Sequence, residues 1–590
     1  MTITAINHTF HVPVMGVAFT IDSPIKLAPF GISSVISMVD DTLLEQMRAY
    51  YAKQFNMAYD EISNKVADFR AKRVTSYLNL VQEIVQLKLE NIKNAAWEKG
   101  SELEKYFKLL PNSSQLKKEF MARLSLQGMD QSLRNWVQTH LLAGDIDINI
   151  MTKLDRENEY QGEKLPHEYN DAHSALRGFA QSNLSSSVVL SAGLNPRLYS
   201  YFEQFKDFYP DASGRLKKRI ILKISDYRSA LIQGKFLAKK GLWVSEFRME
   251  SGLNCGGHAF ATDGLLMGPI LEEFKQHRVE LKETLFKLYA AALKEKNIPL
   301  PVNALEQKFT AQGGLGTADE HQLLLAQYQL DALGWGSTFL LVPEATTVDD
   351  ATLQQLCEAR ESDFYLSHNS PLGVRFNNIK NNSMAYAKEL LIQKNRPGSS
   401  CPKKYSVLNK EYTEKPICTA SRQYQNLRLQ DLKTKGLSDK AFQKEFELTT
   451  TRECLCVGLT NAALLRYNIP TKYYDGAVSI CPGPNLAYFN QLISLQDMVD
   501  HIYGRKDILT RKDRPHMFVK ELQLYIAFFK EAVSESEQPL SKQRTNYLQT
   551  FEKNLQEGIA YYKQFFAANN LPSALAEIKE CEEAYFSVKL

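Results

Sequence analysis

The segment Arg219-Ile-Ile-Leu-Lys-Ile-Ser-Asp226 is a short apolar run, rich in β-branched residues, of the kind that forms a buried strand. A helical stretch follows it, Tyr227 to Lys240, and then a second strand-like run, Leu242-Trp-Val-Ser-Glu-Phe-Arg-Met-Glu250. Strand, helix and strand in succession predict a βαβ unit, whose two strands lie parallel in one sheet.

The same alternation occurs on both sides of this unit. Further along the chain, Lys308 to Gln312 and Gly336 to Val342 flank a helical segment, Ala318 to Leu333. Nearer the N-terminus, Val12 to Gly16 and Ile32 to Val39 are separated by about one helix of sequence. Repeated β–α alternation predicts an α/β fold, either closed as a (β/α)₈ TIM barrel or open as a doubly wound sheet.

Two long segments have helical rather than alternating patterns. One carries an apolar stripe with spacings of three and four residues, formed by Val74, Leu78, Val81, Val85, Leu89 and Ile92. The other carries a stripe near the C-terminus, formed by Tyr547, Phe551, Leu555, Ile559, Tyr562 and Phe566. The first predicts a large helical insertion after the second strand, and the second predicts a helical C-terminal extension.

We therefore predict five parts in the chain. They are the first barrel strands (1–41), the helical insertion (42–180), the remainder of the barrel (181–395), a Cys-rich extension packing on the barrel (396–505) and the C-terminal helical segment (506–590).

Composition excludes several classes of protein. The 590 residues include 71 Lys and Arg and 67 Asp and Glu, which gives a net charge of only +4 and no strongly basic footprint for nucleic acid. No run approaches the ~18–20 apolar residues of a membrane span, and the N-terminus lacks a basic region followed by an apolar one. We therefore expect a cytoplasmic protein with neither a nucleic-acid partner nor a membrane span; the oligomeric state stays open.

Glycine-rich turns follow three of the predicted strands. They are Gly252-Leu-Asn-Cys-Gly-Gly-His258, Gly313-Gly-Leu-Gly316 and Gly334-Trp-Gly-Ser-Thr338. In a barrel all three would line the face where active sites are built. Backbone N–H groups without a neighbouring Cβ can approach an anion closely, so these turns predict a site for a phosphorylated ligand.

The order of these motifs resembles the nitronate monooxygenase (2-nitropropane dioxygenase) family, with which flavin-dependent enoyl-acyl-carrier-protein reductases share the pattern. Pro13-Val-Met15-Gly16 is similar to the family's opening turn, and Ser370-Pro-Leu-Gly-Val-Arg375 to a segment after its last barrel strand. The resemblance covers roughly residues 10–41 and 219–505. It implies a TIM barrel that binds FMN noncovalently.

The resemblance also implies roles for individual residues. It places the FMN phosphate on Gly313, Gly314, Gly336, Ser337 and Thr338, and the flavin ring near Met15 and Gly16. It places His258 beside the flavin, in proton transfer or substrate contact. To the cofactor-binding set we add Gly256 and Gly257, which precede that histidine, and Lys223, a cation at a strand end that could contact a phosphate or a carboxylate.

Two side chains are candidates for catalysis. An imidazole with an ordinary pKa near ~6.5 exchanges protons at neutral pH, which suits His258 to a flavin reaction. Cys255 stands where the family usually has Ala or Ser, at the place where substrate would bind. It is either a redox-active or nucleophilic thiol or a small buried apolar residue.

Five of the eight cysteines fall within one stretch of the chain: Cys401, Cys418, Cys454, Cys456 and Cys481. Four thiolates brought together would hold an iron–sulfur cluster or Zn²⁺, although the spacing matches no compact Cys-x-x-Cys motif. Buried cysteines without a metal are the alternative.

The sequence thus predicts an FMN-dependent oxidoreductase. By resemblance it would oxidise an acidic C–H substrate such as a nitronate, or reduce an activated C=C bond, in a small molecule that is free or linked to an acyl carrier. The alternative is a barrel without flavin that binds a phosphorylated ligand and holds a structural, cysteine-ligated metal, zinc or iron–sulfur.

Overall fold

The computed structural model describes residues 8–191, 193–301, 305–536 and 541–586. Its strands are β1 (Phe10–Val12), β2 (Ser33–Ser37), β3 (Ile146–Ile150), β4 (Glu159–Tyr160), β5 (Glu163–Lys164), β6 (Ser186–Leu190), β7 (Lys218–Ile224), β8 (Val244–Glu250), β9 (Lys308–Gln312), β10 (Ala332–Gly334), β11 (Phe364–Ser367) and β12 (Phe376–Ile379).

The α-helices are α1 (Ser23–Leu27), α2 (Asp41–Gln54), α3 (Phe69–Asn94), α4 (Glu102–Leu109), α5 (Gln115–Gln127), α6 (Gln131–His140), α7 (Asp171–Gln181), α8 (Pro196–Tyr201), α9 (Tyr227–Ala238), α10 (Met267–Glu295), α11 (Ala318–Tyr328), α12 (Asp350–Glu358), α13 (Ser383–Gln393), α14 (Arg422–Thr434), α15 (Asp439–Thr450), α16 (Leu455–Arg466), α17 (Leu495–Ile502), α18 (Met517–Ser534), α19 (Lys542–Ala568) and α20 (Pro572–Phe586). Within the described residues, none of them is long and apolar enough to cross a membrane.

Eight parallel strands close into a barrel, in the order β1, β2, β3, β6, β7, β8, β9, β10. The last strand returns to the first through parallel pairing of Phe10 with Leu333 and of His11 with Gly334. Strands β4 and β5, and strands β11 and β12, form two separate antiparallel pairs outside the barrel. The predicted (β/α)₈ barrel is confirmed, and the open doubly wound sheet is excluded.

Most of the predicted strands lie where the sequence pattern put them, but two do not: the run from Val12 to Gly16 shares only Val12 with β1, and the run from Gly336 to Val342 is not a strand. β7, β8 and β9 coincide with their apolar runs to within two residues. The run from Gly336 to Val342 was expected to be a strand, and this expectation is wrong: the strand is Ala332–Gly334, and Ser337–Leu341 form a short 3₁₀ helix. Because every side chain from Thr338 to Leu341 is buried, the run has no alternation that distinguishes a strand from a buried helical turn.

The helical insertion is shorter than predicted. Helices α2 to α6 lie between β2 and β3, as expected, but β3 is a barrel strand inside the range 42–180, and α7 follows it. The boundary at residue 180 is therefore wrong. The segment Ile146-Asp-Ile-Asn-Ile150 alternates apolar and polar residues as a strand does, but it is only five residues long and directly follows a run of helices, so the pattern around it favours continuing the insertion.

The insertion packs on the barrel through the predicted stripe, which is buried along α3. α3 crosses α7 so closely that a Cβ built on Gly178 would lie 2.6 Å from the carbonyl oxygen of Ala71 and 2.7 Å from Cβ of Val74. Glycine at this crossing therefore fixes the distance between the insertion and the barrel.

We expect Gly178→Ala to lower the free energy of unfolding by about 1–3 kcal/mol, because the added methyl group forces the two helices apart. Chemical denaturation measures this loss. Gln181→Ala, at an exposed position of the same helix, is the control and should stay within about 0.5 kcal/mol of the parent. Equal stability of the two variants would contradict the close crossing.

The C-terminal helices are tied to the barrel at the end of β8. The carboxylate of Glu521 on α18 accepts hydrogen bonds from the Ser251 hydroxyl at 2.5 Å, from the Tyr562 hydroxyl at 2.6 Å and from the Met267 amide at 3.0 Å. Burial raises the pKa of Glu521. These contacts fix the turn that carries the Gly-Gly-His motif against a helix that begins more than two hundred residues later in the chain.

Candidate active site

A cavity opens at the carboxyl ends of the barrel strands. Its volume is about 220 Å³, whereas one water molecule needs roughly 10–15 Å³. Every residue that the sequence predicted for the cofactor or for catalysis lines this cavity: Met15, Gly16, Lys223, Cys255, Gly256, Gly257, His258, Gly313, Gly314, Gly336, Ser337 and Thr338. Barrel closure brings these positions together, because parallel strands that follow β–α units all end on the same face.

His258 is held at the cavity wall by contacts outside the barrel. Its Nε2 lies 2.7 Å from the Ser370 hydroxyl, and its ring packs edge-on against Phe376 of β12. Burial, followed by the positive charges of Lys153 and Lys223, lowers the pKa of His258 to about 4. The imidazole is therefore neutral at neutral pH, so the sequence-based expectation of an ordinary titration near 6.5 does not hold.

Cys255 has the environment of a buried thiol rather than of an activated nucleophile. Burial, and next the negative charge of Glu250, raise the pKa of its thiol. A catalytic cysteine needs the opposite, a thiolate stabilised by a positive or hydrogen-bonding environment. The structure thus favours the reading of Cys255 as a small apolar wall residue.

The turn Gly313 to Gly316 is built around one buried arginine. Arg514 donates to the Gly314 carbonyl at 2.7 Å and pairs with Glu320 at 2.7 Å, and both charged side chains are almost fully buried. Its Nε donates to Asn485, whose amide in turn contacts the Leu315 carbonyl. Gly313 and Gly314 have φ values of +118° and +81°, which residues with a Cβ rarely adopt.

The turn Gly334 to Thr338 ends in the 3₁₀ helix and presents hydroxyl groups to the cavity. The Ser337 hydroxyl accepts a hydrogen bond from the Gly483 amide at 2.7 Å. The Thr338 hydroxyl is 2 % exposed and has no hydrogen-bond partner within the described residues. Two further buried oxygen atoms on cavity-lining residues are also unpaired there, Oδ1 of Asn149 and Oδ1 of Asn254.

Buried polar atoms normally find a partner, and each one left without a partner needs an explanation. Three such atoms on residues around one cavity are consistent with a ligand that has polar edges and supplies the missing hydrogen bonds.

Two lysines set the charge of the cavity. Lys223 pairs with Glu250 at 2.7 Å, and Glu250 also accepts a hydrogen bond from Gln312. Lys223 is thus part of a hydrogen-bonded group with Glu250 and Gln312 that lines the cavity, and its charge is not unpaired. Lys153 lies at the wall with its ammonium group 4.6 Å from the centre of the Phe260 ring.

Several residues of the site were not predicted. Lys153 and Asn149 lie on or just after β3, the strand that the sequence reading missed. Arg514 and Asn485 reach the glycine turn from distant segments. An isolated arginine in a loop carries no local signal, so these contacts become visible only in the folded chain.

The five clustered cysteines separate into two groups. Cys401, Cys418, Cys454 and Cys456 come together: the segments of Cys401 and Cys418 are joined by the hydrogen bond from the Ser399 amide to the Ala420 carbonyl, and Cys401 affects the pKa of Cys418, Cys454 and Cys456. The contact with Cys418 lowers the pKa of Cys401 to about 7. We refer to these four residues as the cysteine cluster.

Cys481 lies apart from the cysteine cluster. Its carbonyl accepts a hydrogen bond from the Gly257 amide at 3.1 Å, and its thiol lies against the backbone of Gly257 and Gly16. A Cβ on Gly256 would be 2.6 Å from the Cys481 carbonyl oxygen. Cys481 therefore belongs to the cavity wall, and it does not join the other four of the predicted metal set.

No family model and no curated protein matches the chain. Among solved structures, the enoyl reductase domain of MlnA from the macrolactin biosynthesis cluster of Bacillus amyloliquefaciens aligns over 72% of this chain and 89% of its own, with 14% identity and a TM-score of 0.34. FabK from Thermotoga maritima aligns over 67% and 83%, with 10% identity and a TM-score of 0.30. At identities and TM-scores this low, the likeness assigns neither a family nor an activity to this chain.

We expect Gly314→Ala to lower the free energy of unfolding by about 2–4 kcal/mol, because the strained φ adds to a steric overlap. A Cβ at this position would lie 2.0 Å from Nδ2 of Asn254. Gly436→Ala is the matched control, since Gly436 also has a positive φ but no atom within 4 Å of the added Cβ. It should cost about 1 kcal/mol. Thermal or chemical denaturation compares the two, and equal losses would show that Asn254 does not restrict the turn.

Proposed function

We propose that the protein is an FMN-dependent oxidoreductase whose cofactor occupies the cavity at the barrel mouth. The observation that carries this proposal is the convergence of three glycine turns on one cavity, which is also lined by Thr338, a residue whose buried hydroxyl has no partner among the described residues. The order of these turns resembles the nitronate monooxygenase family, and this resemblance supplies the identity of the ligand.

The residues present fit such a cofactor. At Gly336 the backbone is open to a ligand, since an added Cβ would have only Pro13 near it, at 3.4 Å. Gly313 and Gly314 line the same cavity, but their Cβ directions are filled by Ser251 and Asn254, so there glycine permits the conformation of the turn. The Thr338 hydroxyl would donate to a phosphate oxygen, and Ser337 retains its own hydroxyl proton for the same purpose. Met15 and Gly16 would lie against the flavin ring.

When bound, FMN would accept or deliver the electrons of the reaction. His258 would stay neutral and take up a proton or hold the substrate through its N–H group, with Ser370 fixing the ring. Lys153 makes the cavity favourable for an anionic substrate, whereas the charge of Lys223 is already paired with Glu250. Oxidation of an acidic C–H substrate and reduction of an activated C=C bond are the two candidate reactions.

The absorption spectrum of the purified full-length chain tests the proposal. A flavin spectrum that is released on denaturation supports it, and turnover of a nitronate or of an enoyl thioester then assigns the reaction class. A chain that is colourless and gains no flavin spectrum when FMN is added would refute it. In that case the alternative is a barrel that binds a phosphorylated ligand without flavin, and its binding would be measured directly.

We expect Thr338→Val to raise the dissociation constant of FMN about tenfold, since it removes one hydrogen bond to the ligand. The apo protein should lose no stability, because the hydroxyl has no partner there. Thr346→Val is the control: its hydroxyl donates to the Phe339 carbonyl at 2.8 Å, so it should cost about 1 kcal/mol of stability and leave FMN affinity unchanged. FMN titration and denaturation measure both quantities. Unchanged FMN affinity in Thr338→Val would remove this hydroxyl from the cofactor site.

The pH dependence of kcat/KM should report His258. With a pKa near 4 in the free enzyme, the neutral imidazole is fully present above about pH 5, and activity should fall as the pH drops through 4. Lys153→Ala removes a positive charge that opposes protonation, so this acid limb should move to higher pH by about 0.5–1 pH unit. Lys153→Arg keeps the charge and should leave the limb in place. Superimposable profiles for the alanine and arginine variants would contradict the assignment.

A further inference from the structure

We propose that Cys401, Cys418, Cys454 and Cys456 ligate an iron–sulfur cluster at the edge of the barrel-mouth cavity. This inference does not rest on the proposed function, because the ligands lie outside the barrel and need no flavin.

The fold gathers the four thiols from three separate segments. Cys401 lies in a turn after α13, Cys418 lies in the loop before α14, and Cys454 and Cys456 lie at the start of α16. The first two segments are fixed to each other by the Ser399 amide, which donates to the Ala420 carbonyl at 2.9 Å. Convergence of four cysteines from distant segments is the arrangement that Cys₄ metal sites require.

The thiols interact with one another. Cys401 and Cys418 shift each other's pKa, and, after burial, Cys456 and Cys401 both raise the pKa of Cys454, so each thiol lies within interaction range of at least one other. Hydroxyl groups flank two of the sulfurs: Ser406 lies 3.5 Å from the sulfur of Cys456, and Ser399 is hydrogen-bonded to Cys454. Hydrogen bonds to ligand sulfurs are a regular feature of iron–sulfur sites.

The backbone at Cys401 is also unusual. Its φ is +53°, in the left-handed region where a side chain other than Asn, Asp or Gly is uncommon. The amide of this residue donates to the Ser399 hydroxyl at 2.9 Å, which holds the turn in place. A strained residue that a surrounding network maintains is characteristic of a ligand position.

Positive charge surrounds the cysteine cluster. Arg156 and Lys404 act on Cys401, and Lys403 acts on Cys456 while it pairs with Asp40. Four thiolates in one place repel each other, so cations at this distance favour a site that carries net negative charge.

The spacing of the sulfurs favours a cluster over a single zinc ion. Zn–S bonds of ~2.3 Å place the four sulfurs of a tetrahedral site roughly 4 Å apart. Among the described residues, no three of these sulfurs lie within 4.8 Å of one another. Iron and sulfide atoms between the ligands hold thiolates further apart than one metal ion does.

The site borders the cavity directly. Cys456 lines the cavity together with Leu455 and Ser406. The cluster would thus form part of the wall of the same cavity into which the glycine turns point.

The test is the iron and acid-labile sulfide content of the full-length chain, purified without oxygen. We expect about four of each per chain and a broad visible absorption that dithionite bleaches. Cys418→Ser should lose at least half of the iron. Cys481→Ser and Cys357→Ser, which change cysteines outside the cysteine cluster, should retain the iron content of the parent.

Three results would overturn the proposal. One is a stoichiometric zinc ion without iron. Another is a metal-free chain, provided that it takes up no iron when ferrous iron and sulfide are supplied under reducing conditions. A Cys401–Cys418 disulfide in the purified chain counts as the same result. The third is equal iron loss in the Cys481→Ser control. The first two results are measured on the unmodified chain. The proposal can therefore be tested even if the Cys418→Ser variant does not fold. Flavin content is read separately, so failure of one proposal leaves the other standing.

Discussion

Closure of the eight-stranded barrel is the constraint from which the site follows. Parallel strands joined by helices must all end on one face, so turns far apart in sequence meet around one opening. The turns after β8, β9 and β10 bring glycine backbone, the His258 imidazole and the Thr338 hydroxyl to that opening. These three strands are neighbours, so their turns would be adjacent in an open sheet too; closure through the β1–β10 pair brings Met15 and Gly16, which follow β1, to the same opening.

The opening is completed by chain segments that follow the barrel. Arg514 fixes the turn at Gly314, Gly483 contacts Ser337, and the Cys481 carbonyl contacts Gly257. Ser370 positions His258 in the same way. The barrel strands determine where the turns of the site lie. The later segments form the hydrogen bonds that fix the conformation of those turns and the orientation of the His258 ring.

The sequence predicted the barrel and the members of the site to different degrees. Runs such as Arg219 to Asp226 are apolar and rich in β-branched residues, and glycine turns follow the runs that end at Glu250 and Gln312, so these strands and their functional ends could be predicted. β3 was missed because its five alternating residues directly follow a long helical region that set the expectation for the whole segment. The chemistry of His258 was misjudged because burial and the charge of Lys153 depend on the fold and not on neighbouring residues in sequence. The cysteines were recognised as a group, but only the structure separates Cys481 from the other four.

The contact between Arg514 and Gly314 has a consequence for biosynthesis. All eight barrel strands leave the ribosome well before Arg514 does. Until then the carbonyl of Gly314 lacks its guanidinium and Glu320 is a buried carboxylate without its counterion, which is costly. A nascent chain can therefore form all eight barrel strands before the turn at Gly314 has all of its contacts, and the cavity is completed only once Arg514 has been synthesised.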